Sequence, residues 1–121
     1  MPGERVTSGT SVDSLPLDVE TISDSIDLAG SMPLSTSTRA EIDTTTNTLV
    51  GHLNALLAEP VWEGDEEALK LFQQAYRHLE LTNRPTGRTP AFAAFSYMLE
   101  SAALTKALVS IYAMKNGIDL P

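Results

Sequence analysis

Apolar residues recur along the chain at intervals of three and four, and no stretch shows the alternation of a half-buried strand. In the segment 18–30, Val19, Ile22, Ile26 and Ala29 share one helical face, with Glu20, Asp24 and Asp27 on the solvated side. Asp18 is placed to cap this helix, Gly30 suits a left-handed C-terminal position, and Pro33 lies just beyond. A second helix is predicted to open at Thr38, which stands in capping-box spacing with Glu41. Its apolar face is Ile42, Leu49, Leu53, Leu56 and Leu57, interrupted by TTTNT at 44–48. Threonine loses χ1 freedom in a helix, so that turn needs tertiary burial to stay helical. Pro60 stops the helix, and a third is expected from about Asp65. Glu66 and Glu67 complement the positive end of its dipole, Arg77 and His78 the negative end. Leu69, Phe72, Tyr76 and Leu79 form its predicted buried stripe, with Ala68 and Ala75 alongside.

After the breaker NRPTGR at 83–88, the last helix is expected between Thr89 as N-cap, with Pro90 at its first position, and Gly117 as C-terminal cap. A span of about 27 residues would reach ~40 Å. Its Phe92, Phe95, Met98, Leu99, Leu104, Leu108, Val109, Ile111 and Met114 project around nearly the whole circumference. A helix apolar all round must be surrounded. Three shorter amphipathic helices cover one side of it, and a second copy of the chain is the simplest cover for the other. Alanines 91, 93, 94, 102 and 103 permit close approach. The expected fold is therefore all-α: one domain over 15–121, a bundle of about four helices with a long apolar C-terminal helix, paired as a homodimer. Residues 1–14 hold only Val6 and Val12 to bury and read as a polar N-terminal tail.

Charge narrows the partners. Acidic residues outnumber basic ones 16 to 8, for a formal charge of -8. Nucleic acid and anionic membrane surfaces are thereby disfavoured as partners, and a cationic peptide or amine is favoured. Cysteine is absent, which removes disulfides and thiolate chemistry. No apolar run approaches the ~20 residues of a membrane span, and no signal pattern opens the chain, so a cytoplasmic protein is expected.

Candidate chemistry is sparse. His52 and His78 lie on different helices without metal-ligand spacing, so no metal is expected. His52 stands at the edge of the second helix's core face, either as a boundary histidine bonded to a backbone carbonyl or as a neutral base or hydrogen-bond donor in a cleft. Glu100 is the one carboxylate of the last helix. Buried, it would titrate high and carry a proton; otherwise it pairs with Lys106, Arg77 or Arg39. Trp62, Phe92, Phe95 and Tyr97 lie near helix starts beside the two Pro/Gly-rich loops. Trp62, in AEPVWEGD, should find little to bury within a monomer, and so either plugs a partner subunit or lines an apolar ligand pocket.

The segments LPLDVETISDSIDLAGSMPL and TLVGHLNALLAEPV, with LTKALVSIYAMKNG near the end, resemble small helical proteins of bacterial natural-product gene clusters. The likeness runs over about residues 15 to 116, and Gly51-His52-Leu53 is its most distinctive piece. In length and layout the chain looks most like the lysinoalanine-forming proteins of duramycin- and cinnamycin-type lanthipeptide biosynthesis. It departs from that pattern after the Leu56-Leu57 pair, where Ala58-Glu59-Pro60 displaces the usual acidic residue. The resemblance implies an enzyme that joins a lysine side chain to a dehydroalanine of the same modified peptide, without cofactor or metal. It also implies that the substrate's own hydroxylated aspartate serves as the base. On the protein side the residues expected to serve that chemistry are His52 first, as hydrogen-bond partner, then Tyr97 and Glu100. Trp62, Phe92 and Phe95 would wall the amine pocket, and Arg39 would hold a substrate carboxylate unless it pairs with Glu41 or Asp43. The alternative is a non-catalytic helical dimer, an adaptor or regulator of a biosynthetic enzyme.

Overall fold

The computed structural model describes residues 17–62 and 64–118, and within them the chain is all-helical, without strands. Helix α1 covers Val19–Ser31, α2 Arg39–Leu57, α3 Glu66–Leu79 and α4 Ala91–Lys115, with single 3-10 turns at Pro60–Trp62 and Leu81–Asn83. The polar N-terminal segment 1–14 lies outside the described residues.

Local chemistry sets most helix ends. Asp18 accepts the Thr21 backbone N–H at 3.1 Å, and Asp65 accepts that of Ala68 at 3.0 Å. Thr38 and Glu41 form the reciprocal capping box. Gly117 takes φ +67°, and the N–H groups of Gly117 and Ile118 reach back to Met114 and Ala113. That is a Schellman motif, and Ile118 packs on the core as the motif favours.

Two expected ends move. Gly30 lies inside α1, which closes on Met32 in extended backbone, so no left-handed residue is used there. Thr89 does not cap α4. Its Oγ1 accepts the Thr86 N–H at 2.9 Å within the preceding turn, and the Pro90 carbonyl takes the first helical bonds.

Helix α4 packs most extensively on α2, next on α1, and least on α3. One half of the core gathers Ala29, Ile42, Leu49, Ala94 and Met98; the other gathers Val19, Ile22, Leu53, Leu56, Trp62 and Leu108. Those pairings run α1 and α3 antiparallel to α4 and α2 parallel to it, an up-down-up-down bundle. The threonine run is held by burial: Thr45 and Thr46 are both buried, and Thr46 Oγ1 returns its proton to the Ile42 carbonyl.

Helix α3 is rotated from its predicted setting. Ala68, Ala75, His78 and Leu79 are buried, whereas Leu69 and Tyr76 are exposed. Its apolar arc is wider than the one stripe that α4 and Trp62 cover, and the small alanines allow the closest approach. Trp62 also corrects expectation. It is 3% exposed, donates Nε1–H to the Leu56 carbonyl, and meets Phe72 edge-on at 5.6 Å and Tyr112 at 6.3 Å. The 3-10 turn folds the ring back under its own chain, leaving no face for a partner plug or a ligand.

Candidate functional site

The two turns of α4 that face the end of α3 carry Tyr97, Ser101 and Thr105 at spacings of four, a polar line on one face. Ser101 and Thr105 are completely buried, and each hydroxyl donates to the carbonyl four residues back. His78, in the last turn of α3, lands on this line. Its Nε2 is 2.7 Å from Ser101 Oγ, and its ring stacks on Tyr97 with centroids 3.9 Å apart and planes 11° from parallel. The Tyr97 hydroxyl closes the arrangement by donating to the His78 backbone carbonyl at 2.6 Å.

Beside this cluster, α3 and α4 diverge into an open cleft of about 770 Å³. Leu71, Ala103, Leu104 and Ala107 form an aliphatic wall, while Gln74, Arg77, His78 and Glu100 supply polar groups. A shallower cleft of about 400 Å³ continues past Tyr97 and Glu100 toward Arg84 and Phe92. His78 Nδ1 lies 3.8 Å from Glu100 Oε1, beyond hydrogen-bond distance but within strong Coulombic range.

Burial holds the His78 imidazole below its ordinary pKa; Glu100 opposes that shift and Arg84 reinforces it. Burial likewise raises the Tyr97 phenol. Near neutrality the site therefore offers a neutral imidazole and a neutral phenol, with the Glu100 side chain at the cleft mouth. A neutral His78 also replaces its expected role as a dipole-complementing cation: the side chain is turned inward, away from the carbonyls at the end of α3. Ser101, His78 and Glu100 are the residue types of a hydrolytic triad, but the serine is sealed from solvent and its proton is committed to the Tyr97 carbonyl. It cannot act as a nucleophile.

Of the residues singled out from sequence, Tyr97, Glu100 and Phe92 come together along these clefts. Glu100 is not buried: its side chain is 72% exposed, and the basic group it faces is His78 rather than Lys106, Arg77 or Arg39. Phe95 is half-buried against the α1–α2 side of the core, and Trp62 is inside the opposite half, so the three aromatics wall no common pocket.

His52 is separate from Tyr97 and Glu100. Its Nε2 is 3.1 Å from Ser25 Oγ on α1, and burial lowers its pKa, with Asp18 opposing. Arg39 pairs with Asp43 at 2.9 Å and donates to the Thr86 and Thr89 carbonyls at 2.7 and 2.6 Å. Its guanidinium thus pins the 84–89 loop to α2. Among the described residues, no group of histidines and carboxylates is disposed to hold a metal ion.

Sequence reasoning missed His78 and Ser101 as site residues. Two faint signals pointed to them: His78 stands three residues after Ala75 on the apolar side of α3, and Ser101 and Thr105 interrupt an otherwise apolar helix at a spacing of four. Comparison with protein-family models, curated proteins and solved structures finds no match to this chain.

Proposed function

We propose that this chain is a lanthipeptide-maturation enzyme that forms a lysinoalanine cross-link in the cleft between α3 and α4. The observation that carries the reading is the buried His78 imidazole, 3.8 Å from Glu100, at the mouth of a cleft with an aliphatic wall. Glu100 draws in the substrate ammonium, and the lysine stem lies along Leu71 and Leu104. Transfer of a proton from an ordinary lysine, pKa about 10.4, to an ordinary imidazole, about 6.5, costs about 5 kcal/mol. Burial of His78 widens that gap and Glu100 offsets part of the burial effect, so desolvation of the ammonium against the aliphatic wall must supply the larger compensation.

The freed Nζ then bonds to the alkene β-carbon, the π pair moves toward the adjacent carbonyl, and the imidazolium returns its proton to the α-carbon. Atoms balance, and the product is an isomer of the substrate. Holding amine and alkene together can supply ~7–11 kcal/mol of the barrier. The resemblance implies substrate-assisted proton transfer; His78 gives the protein a base of its own alongside it.

The same reading takes the protein as a cytoplasmic homodimer. Phe92, Leu99, Ala103 and Met114 lie within about 40° of one line along α4. Phe92, Leu99 and Met114 are 63%, 41% and 74% exposed. Cover from a second copy would bury this face. Light scattering should give twice the 13.0 kDa of the chain, and a stable 13.0 kDa particle at micromolar concentration overturns the dimer. Among the described residues no helix is long and apolar enough to cross a membrane.

Incubation with a dehydroalanine-bearing lanthipeptide should abolish thiol trapping of the alkene at unchanged mass, and fragmentation should show the new ring. His78→Gln should slow the reaction about 10²- to 10⁴-fold. Unchanged trapping with the intact protein refutes the enzyme reading. The exposed face of α4 also suits a non-catalytic adaptor dimer. An inactive protein that captures a biosynthetic enzyme, and loses it on Leu99→Lys, would favour that reading.

A further inference from the structure

We infer that Ser101 is the positioning residue of this site: it fixes His78 as the Nε2–H tautomer, so that Nδ1 carries the lone pair facing Glu100 and the cleft. The inference concerns the hydrogen-bond ring itself, and its role in catalysis rests on the reading of His78 as the base.

Ser101 Oγ has one proton. The Tyr97 carbonyl, 2.8 Å away, can only accept, so that bond uses the proton. The hydroxyl oxygen then faces His78 Nε2 at 2.7 Å as an acceptor, and the nitrogen must donate. Tyr97 locks the ring plane from a second direction by stacking on it, and its hydroxyl holds the His78 backbone. Tyr97, Ser101 and His78 thus form a closed cycle of three donors and three acceptors that leaves only His78 Nδ1 outside it on the imidazole.

The outcome is a ring that cannot flip without breaking a buried bond. Its remaining nitrogen is the one that meets the only carboxylate of α4 and any substrate N–H entering the cleft. His52 provides an internal comparison. Ser25 Oγ donates to the Thr21 carbonyl and sits 3.1 Å from His52 Nε2, the same construction at a half-buried position.

Long-range ¹H–¹⁵N correlation of the imidazoles in the full-length ¹⁵N-labelled protein, above the His78 titration, tests the inference. A His52→Gln variant assigns the signals. Intact protein should show His78 with a protonated Nε2 and a lone pair on Nδ1, and Ser101→Ala should shift it toward a tautomer mixture. An Nδ1–H tautomer in the intact protein, or an unaltered tautomer in Ser101→Ala, overturns the inference. The intact-protein spectrum decides even if the variant misfolds.

In the cross-linking assay, Ser101→Ala should lower kcat about 10- to 100-fold at nearly constant KM, and its effect should vanish in a His78→Gln background. An unchanged kcat with a disturbed tautomer overturns the positioning role. A fixed Nε2–H tautomer in an intact protein without cross-linking activity upholds the hydrogen-bond assignment and removes the enzymatic reading instead.

Discussion

Truncating Trp62 to alanine gives the sharpest test of how this bundle is built. The indole is buried between the second half of α4, the end of α2 and the start of α3, and touches both Phe72 and Tyr112. Deleting a core tryptophan costs ~3–5 kcal/mol, part in lost transfer free energy and part in the cavity left behind. The Nε1–H bond to the Leu56 carbonyl adds about 1 kcal/mol within that range, moderated because the same carbonyl keeps the Glu59 N–H.

Urea unfolding followed by far-UV circular dichroism reads the loss directly. At a slope of about 1.5 kcal/mol per molar urea, the midpoint should fall by ~2–3 M. Trp62→Phe keeps an aromatic against Phe72 and Tyr112 and should lose about 1–2 kcal/mol, so it stays measurable if the alanine variant unfolds in buffer. A ring that lined a ligand pocket or plugged a partner would behave differently. Its truncation would cost under ~0.5 kcal/mol in the monomer, as surface changes do. A midpoint unchanged in Trp62→Ala therefore refutes the packing described for this turn.

Burial lowers the pKa of both His52 and His78 relative to the unfolded chain. The unfolded state then binds more protons just below pH ~6.5, so stability is complete above that value and falls as pH drops through it toward the folded-state pKa values. Urea midpoints at pH 7.5 and pH 5.5 check the sign, and His78→Gln should flatten the difference. Arg39→Ala removes the guanidinium bonds to Thr86 and Thr89 and should cost about 1–2 kcal/mol, with faster amide exchange confined to residues 86–89. Thr38→Ala breaks the capping box and should cost ~1 kcal/mol by the same urea assay.

The amino-acid sequence by itself determined the all-helical class and the ends that depend on neighbours within one turn: the Asp18 and Thr38 caps, a helix start near Asp65, and the glycine stop at Gly117. Those features are local, since a cap needs only a short side chain and a backbone N–H two or three residues on. The candidate site was only partly legible. Tyr97, Glu100 and Phe92 stood out by type, yet Glu100 points outward and Phe95 and Trp62 turn away from the cleft.

Tertiary structure alone decided the rotation of α3, the burial of Trp62 and the meeting of His78 with Ser101 across 23 positions of sequence. The physical reason is helical phase. A helix with apolar residues on every side gives no preferred direction of rotation, so which flank meets α3 is chosen by packing against α1 and α2. Only when that flank was chosen did the polar line Tyr97–Ser101–Thr105 acquire a histidine to satisfy it.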